Sequence, residues 1–123
     1  MTTARRKQID QLARRLAKGT LRTDERTLRQ HAGDKWFAAN PPDAVAFPRS
    51  TKAVAEILRF ANRHRIPVTA RGAGHGYVGG CVPVRGGIAL SLARMNRIRE
   101  ISGSDFVAVV QPGVITAALQ DAA

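Results

Sequence analysis

Ten consecutive residues constrain this chain more than any other feature. Arg71-Gly72-Ala73-Gly74-His75-Gly76-Tyr77-Val78-Gly79-Gly80 holds five of its eleven glycines. So many residues without a Cβ rule out a stable helix or strand through the stretch, which must be a loop. Glycine also lets backbone N–H groups approach an anion closely. Positive φ angles let successive N–H groups converge into an anion-holding nest. Arg71 stands at the loop entrance, where a cation offsets diphosphate charge. Two common phosphate motifs do not fit. A dinucleotide-binding βαβ fingerprint needs a helix opening within the glycines and an acidic residue about 20 positions later. Here Gly79, Gly80 and Pro83 interrupt any helix, and Arg94 to Arg99 is basic. A P-loop ends in Gly-Lys-Ser/Thr, which is absent. Spacing alone leaves a phosphate-binding loop and a plain flexible turn both open.

The flanking pattern places that loop. Ala44 to Phe47 reads as a short strand closed by Pro48. Ser50 is an N-cap, and Val54, Ile57, Leu58 and Ala61 make one apolar helix face through Arg63. Pro67 to Ala70 is a second strand, so strand, helix and strand fit the span of a βαβ crossover. Further strands are expected at Gly87 to Leu92 and Phe106 to Gln111. A turn at Pro112-Gly113 and a helix from Ile115 to Ala123 follow. Upstream, Ile9, Leu12, Ala13, Leu16 and Ala17 recur at helical spacing between Gln8 and Lys18, with Gly19 as a stop. Thr23 to Gln30 is a second short helix, with Asp24 and Glu25 favourable to its first turn. Residues 38–43, with Pro41 and Pro42, read as a linker. The expected layout is a helical segment over 1–40 and an α+β domain over 41–123, a small sheet with flanking helices.

Charge is the feature most apt to mislead. The net charge is +11, and a basic balance favours nucleic acid or anionic membranes. Yet residues 1–35 carry +6 and residues 36–123 carry +5, so the charge is dispersed. Aromatic residues are only 5% of the chain and none interleaves with the cations as a base-stacking platform requires. An Arg-rich solvated surface is the favoured reading, and nucleic acid is not an expected partner. No apolar run approaches the ~18 residues of a membrane-spanning helix. The first helix lacks the Trp and Phe of interfacial anchors. No apolar stretch follows Arg5-Arg6-Lys7, which argues against a secretory signal. The lone Cys81 excludes an internal disulfide and suits a reducing cytoplasm. With no His or basic cluster beside it, it reads as a small buried hydrophobe. No grouping of His, Cys, Asp and Glu has metal-ligand spacing, and His31, His64, Asp10, Asp34 and Glu56 stand singly.

Taken in order, Pro42-Asp43-Ala44-Val45, Phe47-Pro48-Arg49-Ser50-Thr51, Val54-Ala55-Glu56-Ile57-Leu58, Ala61-Asn62, Ile66-Pro67-Val68, Arg71-Gly72-Ala73-Gly74, Gly79-Gly80, Met95-Asn96-Arg97-Ile98 and Gln111-Pro112-Gly113-Val114 resemble one family. It is the vanillyl-alcohol oxidase and p-cresol methylhydroxylase family of FAD-linked oxidases, nearest the glycolate oxidase D-subunit and D-lactate dehydrogenase branch. The likeness runs from about Ile9 to Gln120.

That resemblance implies FAD as cofactor and an α+β fold, the first subdomain of the family's FAD-binding domain. It implies an oxidoreductase acting on small α-hydroxy acids. It places the pyrophosphate on Arg71, Gly72, Ala73, Gly74, His75, Gly76, Gly79 and Gly80, with Pro112, Gly113 and Val114 lining the flavin from the other side. At His75 the glycolate-oxidase branch often has Thr. In the berberine bridge enzyme branch, the loop resembles Arg71-x-x-Gly74-His75-x-Tyr77-x-Gly79 and its His carries the flavin covalently. A covalent link and a local packing role for His75 both stay open, as do a flavin-edge and a packing role for Tyr77. In relatives the catalytic base and substrate cap belong to later segments, so no residue is nominated as a general base. The resemblance therefore implies a truncated FAD-binding portion, inactive alone. Its alternatives are one half of a split oxidase complemented by a second subunit, an inactive remnant, or a basic interaction module.

Overall fold

The computed structural model describes residues 1–123. Its elements run α1 (Thr3–Arg15), β1 (Leu21–Arg22), α2 (Glu25–Gln30), β2 (Ala44–Ala46), α3 (Thr51–Arg63), β3 (Val68–Arg71), β4 (Ile88–Ser91), β5 (Ile98–Ser102), β6 (Val107–Val110) and α4 (Thr116–Ala122). Capping sets several of these boundaries. The Thr2 side chain accepts from the Arg5 N–H at 3.1 Å. Asp24 accepts from the Thr27 N–H and hydroxyl at 3.1 and 2.7 Å, and Ser50 accepts from the Ala53 N–H at 3.2 Å. Each satisfies an amide with no partner inside its helix. The first helix is shifted from the expected Gln8–Lys18. Thr2 starts it earlier, and Leu16 already turns to an extended conformation, so that Leu16 and Leu21 can pack against the core.

Four strands form the main sheet in the order β1-β2-β4-β3. The β4 strand is parallel to both neighbours, pairing Ala44 and Val68 with Ile88 at one end and Arg71 with Ser91 at the other. The expected crossover from β2 through α3 to β3 is present, but its two strands are not adjacent. β4 fills the gap between them, and β3 is an edge strand. Two strands escaped sequence reading. Leu21–Arg22 is only two residues long and pairs antiparallel with β2. β5 pairs with β6 through a register shift between Ile98 and Glu100, so its apolar residues Ile98 and Ile101 do not alternate as in a regular strand.

Alternation along the strands gives the sheet two faces. Ala44, Ala46, Ile88 and Leu90 cluster with Ile9 and Leu12 of α1 and with Ile57, Phe60 and Ala61 of α3. Register places Val45, Ala89, Ser91 and Arg71 on the opposite face. The glycine-rich segment therefore leaves the sheet at its edge, at the C-terminal end of a parallel strand, with Arg71 turned away from the α1–α3 layer.

Candidate functional site

No helix opens within residues 72–80, which run as turn and bend. Gly74 and Gly79 both adopt φ of +77°, a conformation that disfavours any side chain. None of the N–H groups from Gly72 through Val78 donates to an acceptor in the protein. Seven consecutive main-chain donors are thus free.

Beneath them lies Arg71, 8% exposed. Its side chain folds back under the loop so closely that a Cβ added at Gly74 would collide with Arg71 Nη2. Its Nη1 is buried and has no hydrogen-bond partner. A buried guanidinium N–H without an acceptor is costly, because desolvation is not offset by a bond. A charge-assisted bond to an anion would remove that cost.

His31 is the second titratable group here, although nothing in its local sequence couples it to residue 71. Its Nδ1–H donates to the Thr27 carbonyl at 2.8 Å, and its ring meets Phe47 edge-on at 5.2 Å. Partial burial holds its pKa below the usual histidine value. The Thr27 bond acts in the opposite direction, and the charge of Arg71 lowers the pKa further. His31 is thereby kept neutral beside an unpaired cation.

The second half of the loop is tied down by the segment around Asp34. Asp34 Oδ2 accepts from the Gly79 N–H at 3.0 Å, and the Lys35 N–H donates to the Gly76 carbonyl at 3.0 Å. Trp36 packs edge-on against Tyr77 at 6.4 Å. Asp34 is thus not a scattered surface carboxylate, and Gly79 does not offer a free donor. Tyr77 is exposed against Trp36. Cys81 is half-buried with its thiol 3.9 Å from the Gly33 carbonyl, so the expectation of a buried small hydrophobe is corrected. His64 caps α3 and stacks against Phe60 at 4.3 Å. No group of His, Cys, Asp and Glu could hold a metal ion.

A groove separates the start of the loop from the turn after β6. One part, about 240 Å³, is lined by Gly72, Ala73, Asn96, Ile98, Gly113 and Val114 among others. The adjoining part, about 510 Å³, adds His75, Pro112 and Thr116. The turn is fixed by the Gly113 N–H donating to the Met95 carbonyl at 2.8 Å. A Cβ at Gly113 would collide with the Leu92 carbonyl. Of the expected site residues, Gly72, Ala73, His75, Pro112, Gly113 and Val114 thus face one groove, while Arg71 packs against Gly74 beneath the loop and neither lines the groove. Gly76, Gly79 and Gly80 do not line it. Asn96, Ile98 and Ile115 were not anticipated as lining. In the groove only His75 carries a titratable side chain.

The free donors, the buried cation and the adjoining groove suit an elongated diphosphate ligand. The family model described as an FAD binding domain matches residues 42–123. The glycolate oxidase subunit GlcD of Bacillus subtilis is 45% identical over 75 residues, covering 61% of this chain and 16% of the relative. The D-2-hydroxyglutarate dehydrogenase of Stutzerimonas stutzeri is 37% identical over 114 residues, 91% of this chain and 24% of that protein. The solved structure of p-cresol methylhydroxylase with substrate bound superposes with a TM-score of 0.84 at 25% identity, covering 99% of this chain and 25% of that one. The chain spans a quarter or less of each of these relatives. No helix is long and apolar enough to cross a membrane. The chain belongs to the FAD binding domain family of FAD-linked oxidases and dehydrogenases, and its cofactor is FAD.

Proposed function

We propose that Arg71 and the N–H groups of Gly72 to Gly76 hold the pyrophosphate of FAD, and that the groove toward Pro112, Gly113 and Val114 takes the flavin end. The carrying observation is the buried, unpartnered Nη1 of Arg71 beneath a run of free main-chain donors. In this reading Arg71 supplies the counter-charge, the glycine amides orient the two phosphates, and Val114, Ile115 and Ala118 exclude water from one wall. Gly79 and Gly80 shape the loop's second half instead of binding through Gly79 N–H, which Asp34 occupies. FAD supplies the electron acceptor for oxidation of the substrate.

We assign the parent activity to oxidation of small α-hydroxy acids. Support comes from two relatives whose names specify glycolate and D-2-hydroxyglutarate, both of that class. With His75 the only titratable side chain in the groove, substrate positioning and proton removal fall to polypeptide beyond these residues, from the same chain or from a complementing subunit. The exposed Val107, Val109 and Ile115 beside the groove favour such a cover.

The test is titration of FAD and of riboflavin, which lacks the pyrophosphate, into wild type and Arg71→Met, followed by flavin fluorescence. FAD affinity should fall roughly tenfold or more, the scale of a lost charge-assisted contact, with riboflavin binding unchanged. Equal FAD affinity in both proteins would overturn the assignment.

A further inference from the structure

A second charged feature lies on the far side of the sheet from Arg71. Arg15, at the end of α1, and Lys52, Glu56, Arg59 and Arg63, along α3, surround a groove of about 260 Å³ floored by Phe60. Its size falls just under the roughly 300–1,000 Å³ of typical small-ligand pockets. The α3 positions are spaced four, three and four residues apart, so they share one helix face. They extend roughly 16 Å along it at 1.5 Å per residue.

Four cations face a single carboxylate, and none of these five side chains forms an ion pair. Arg15 and Arg63 suit the C-terminal ends of their own helices, but Lys52 does not. It lies in the first turn of α3, which contains no acidic residue, so it adds charge where the helix is already positive. Arg15 is held over the Phe60 ring at 5.2 Å, which fixes one side of the groove. A concave, unneutralised cluster of this kind favours multiply charged oxyanions.

We propose that this groove is an anion site for a small polyphosphate, separate from the FAD site. Lys52, Arg59 and Arg63 supply one wall and Arg15 the other, and Glu56 limits how deeply the anion sits. An anionic membrane is a poorer occupant. The apolar residues Ile9 and Leu12 of α1 are wholly buried in the core, and the exposed Trp36, Phe37 and Tyr77 cluster at the glycine-rich loop and take no part in this groove's lining. Single-stranded nucleic acid lacks a stacking surface here, because Phe60 is only 3% exposed.

The probe is inorganic triphosphate, titrated calorimetrically into the 123-residue chain, the double variant Arg59→Gln/Arg63→Gln, and Lys52→Gln. All three positions are exposed, and circular dichroism verifies folding. Wild type should bind triphosphate, more weakly as salt rises. The double variant should bind roughly tenfold or more weakly, and Lys52→Gln less so but measurably, with FAD binding unchanged in both. Absent binding, or binding equal in all three proteins, would overturn the proposal; the latter would place the anion elsewhere, as at Arg71. Binding to vesicles containing phosphatidylglycerol without binding to triphosphate would also overturn it, in favour of a membrane surface.

Discussion

Arg71 shows how one residue can be half legible. Its place at the loop entrance and its charge are in the sequence, but not the direction in which its side chain folds. That direction follows from its position in β3, opposite Ser91 and facing away from the α1–α3 layer. Gly74 then has two reasons to be glycine, its φ of +77° and the guanidinium beneath it. Gly74→Ala should cost about 1–2 kcal/mol of stability from the left-handed backbone. It should lower FAD affinity further by pushing Arg71 aside. Denaturant unfolding and FAD titration on the same variant separate the two effects. His31 was unreadable as a partner because its contacts depend on tertiary closure across some forty residues. Its lowered pKa means that the folded state prefers it neutral. The sign follows: its contribution to stability is complete above the ordinary histidine value of 6.5 and is lost as pH falls through the lower folded-state value. NMR titration of the ring should show protonation below the ordinary histidine range, and His31→Gln should flatten the stability profile over that window.

At the level of elements, periodicity was the reliable guide and pairing was not. α3 is found from Thr51 to Arg63 with Ser50 as its cap, because a capping hydroxyl and an apolar face three and four residues apart are both local signals. β5 was missed because the shift at Ile98/Glu100 breaks its alternation, and β1 because two residues carry no period. α1, expected only as an amphipathic helix, supplies Ile9 and Leu12 to the central cluster at 1% and 0% exposure. Leu12→Ala should therefore destabilise the fold by about 2–5 kcal/mol, the range for emptying a packed leucine site, as measured by urea unfolding. A loss under 1 kcal/mol would mean that α1 is dispensable to the core. At the head of α2, the hydrogen bonds from Thr27 lower the Asp24 pKa from 3.8 to about 2. That cap holds above pH 3.8 and is lost as pH falls toward 2. Asp24→Asn should remove this acid dependence while keeping a capping oxygen.

For the whole molecule, the groove proposed for the cofactor lies between the glycine-rich loop and the turn after β6 and is open to solvent beyond them. Val107 and Val109, 52% and 44% exposed, lie on a hairpin with no further strand beside it, and Ile115, 66% exposed, starts α4 just after it. Two outcomes are expected of the isolated chain. Sedimentation should show concentration-dependent self-association, reduced by Val109→Lys, since apolar surface beside unpaired strand edges promotes association. FAD should bind more weakly than micromolar, without dye reduction by glycolate or lactate. Main-chain donors in a wet, open groove are weakened by water, and tight sites enclose most of their ligand. Tight binding with turnover would show that these residues contain a nearly complete site.

The place of β4 between β2 and β3 also governs the order in which the sheet can assemble. The two strands joined by α3 share no hydrogen bonds with each other and depend on residues 88–91 to be joined. During synthesis the helix can form early, since its bonds are local, but the sheet must wait until the glycine-rich loop and β4 have emerged. The loop therefore closes in the same step as the parallel core. Its closing entropy falls within folding itself, so lengthening residues 72–87 should slow refolding as well as alter cofactor binding.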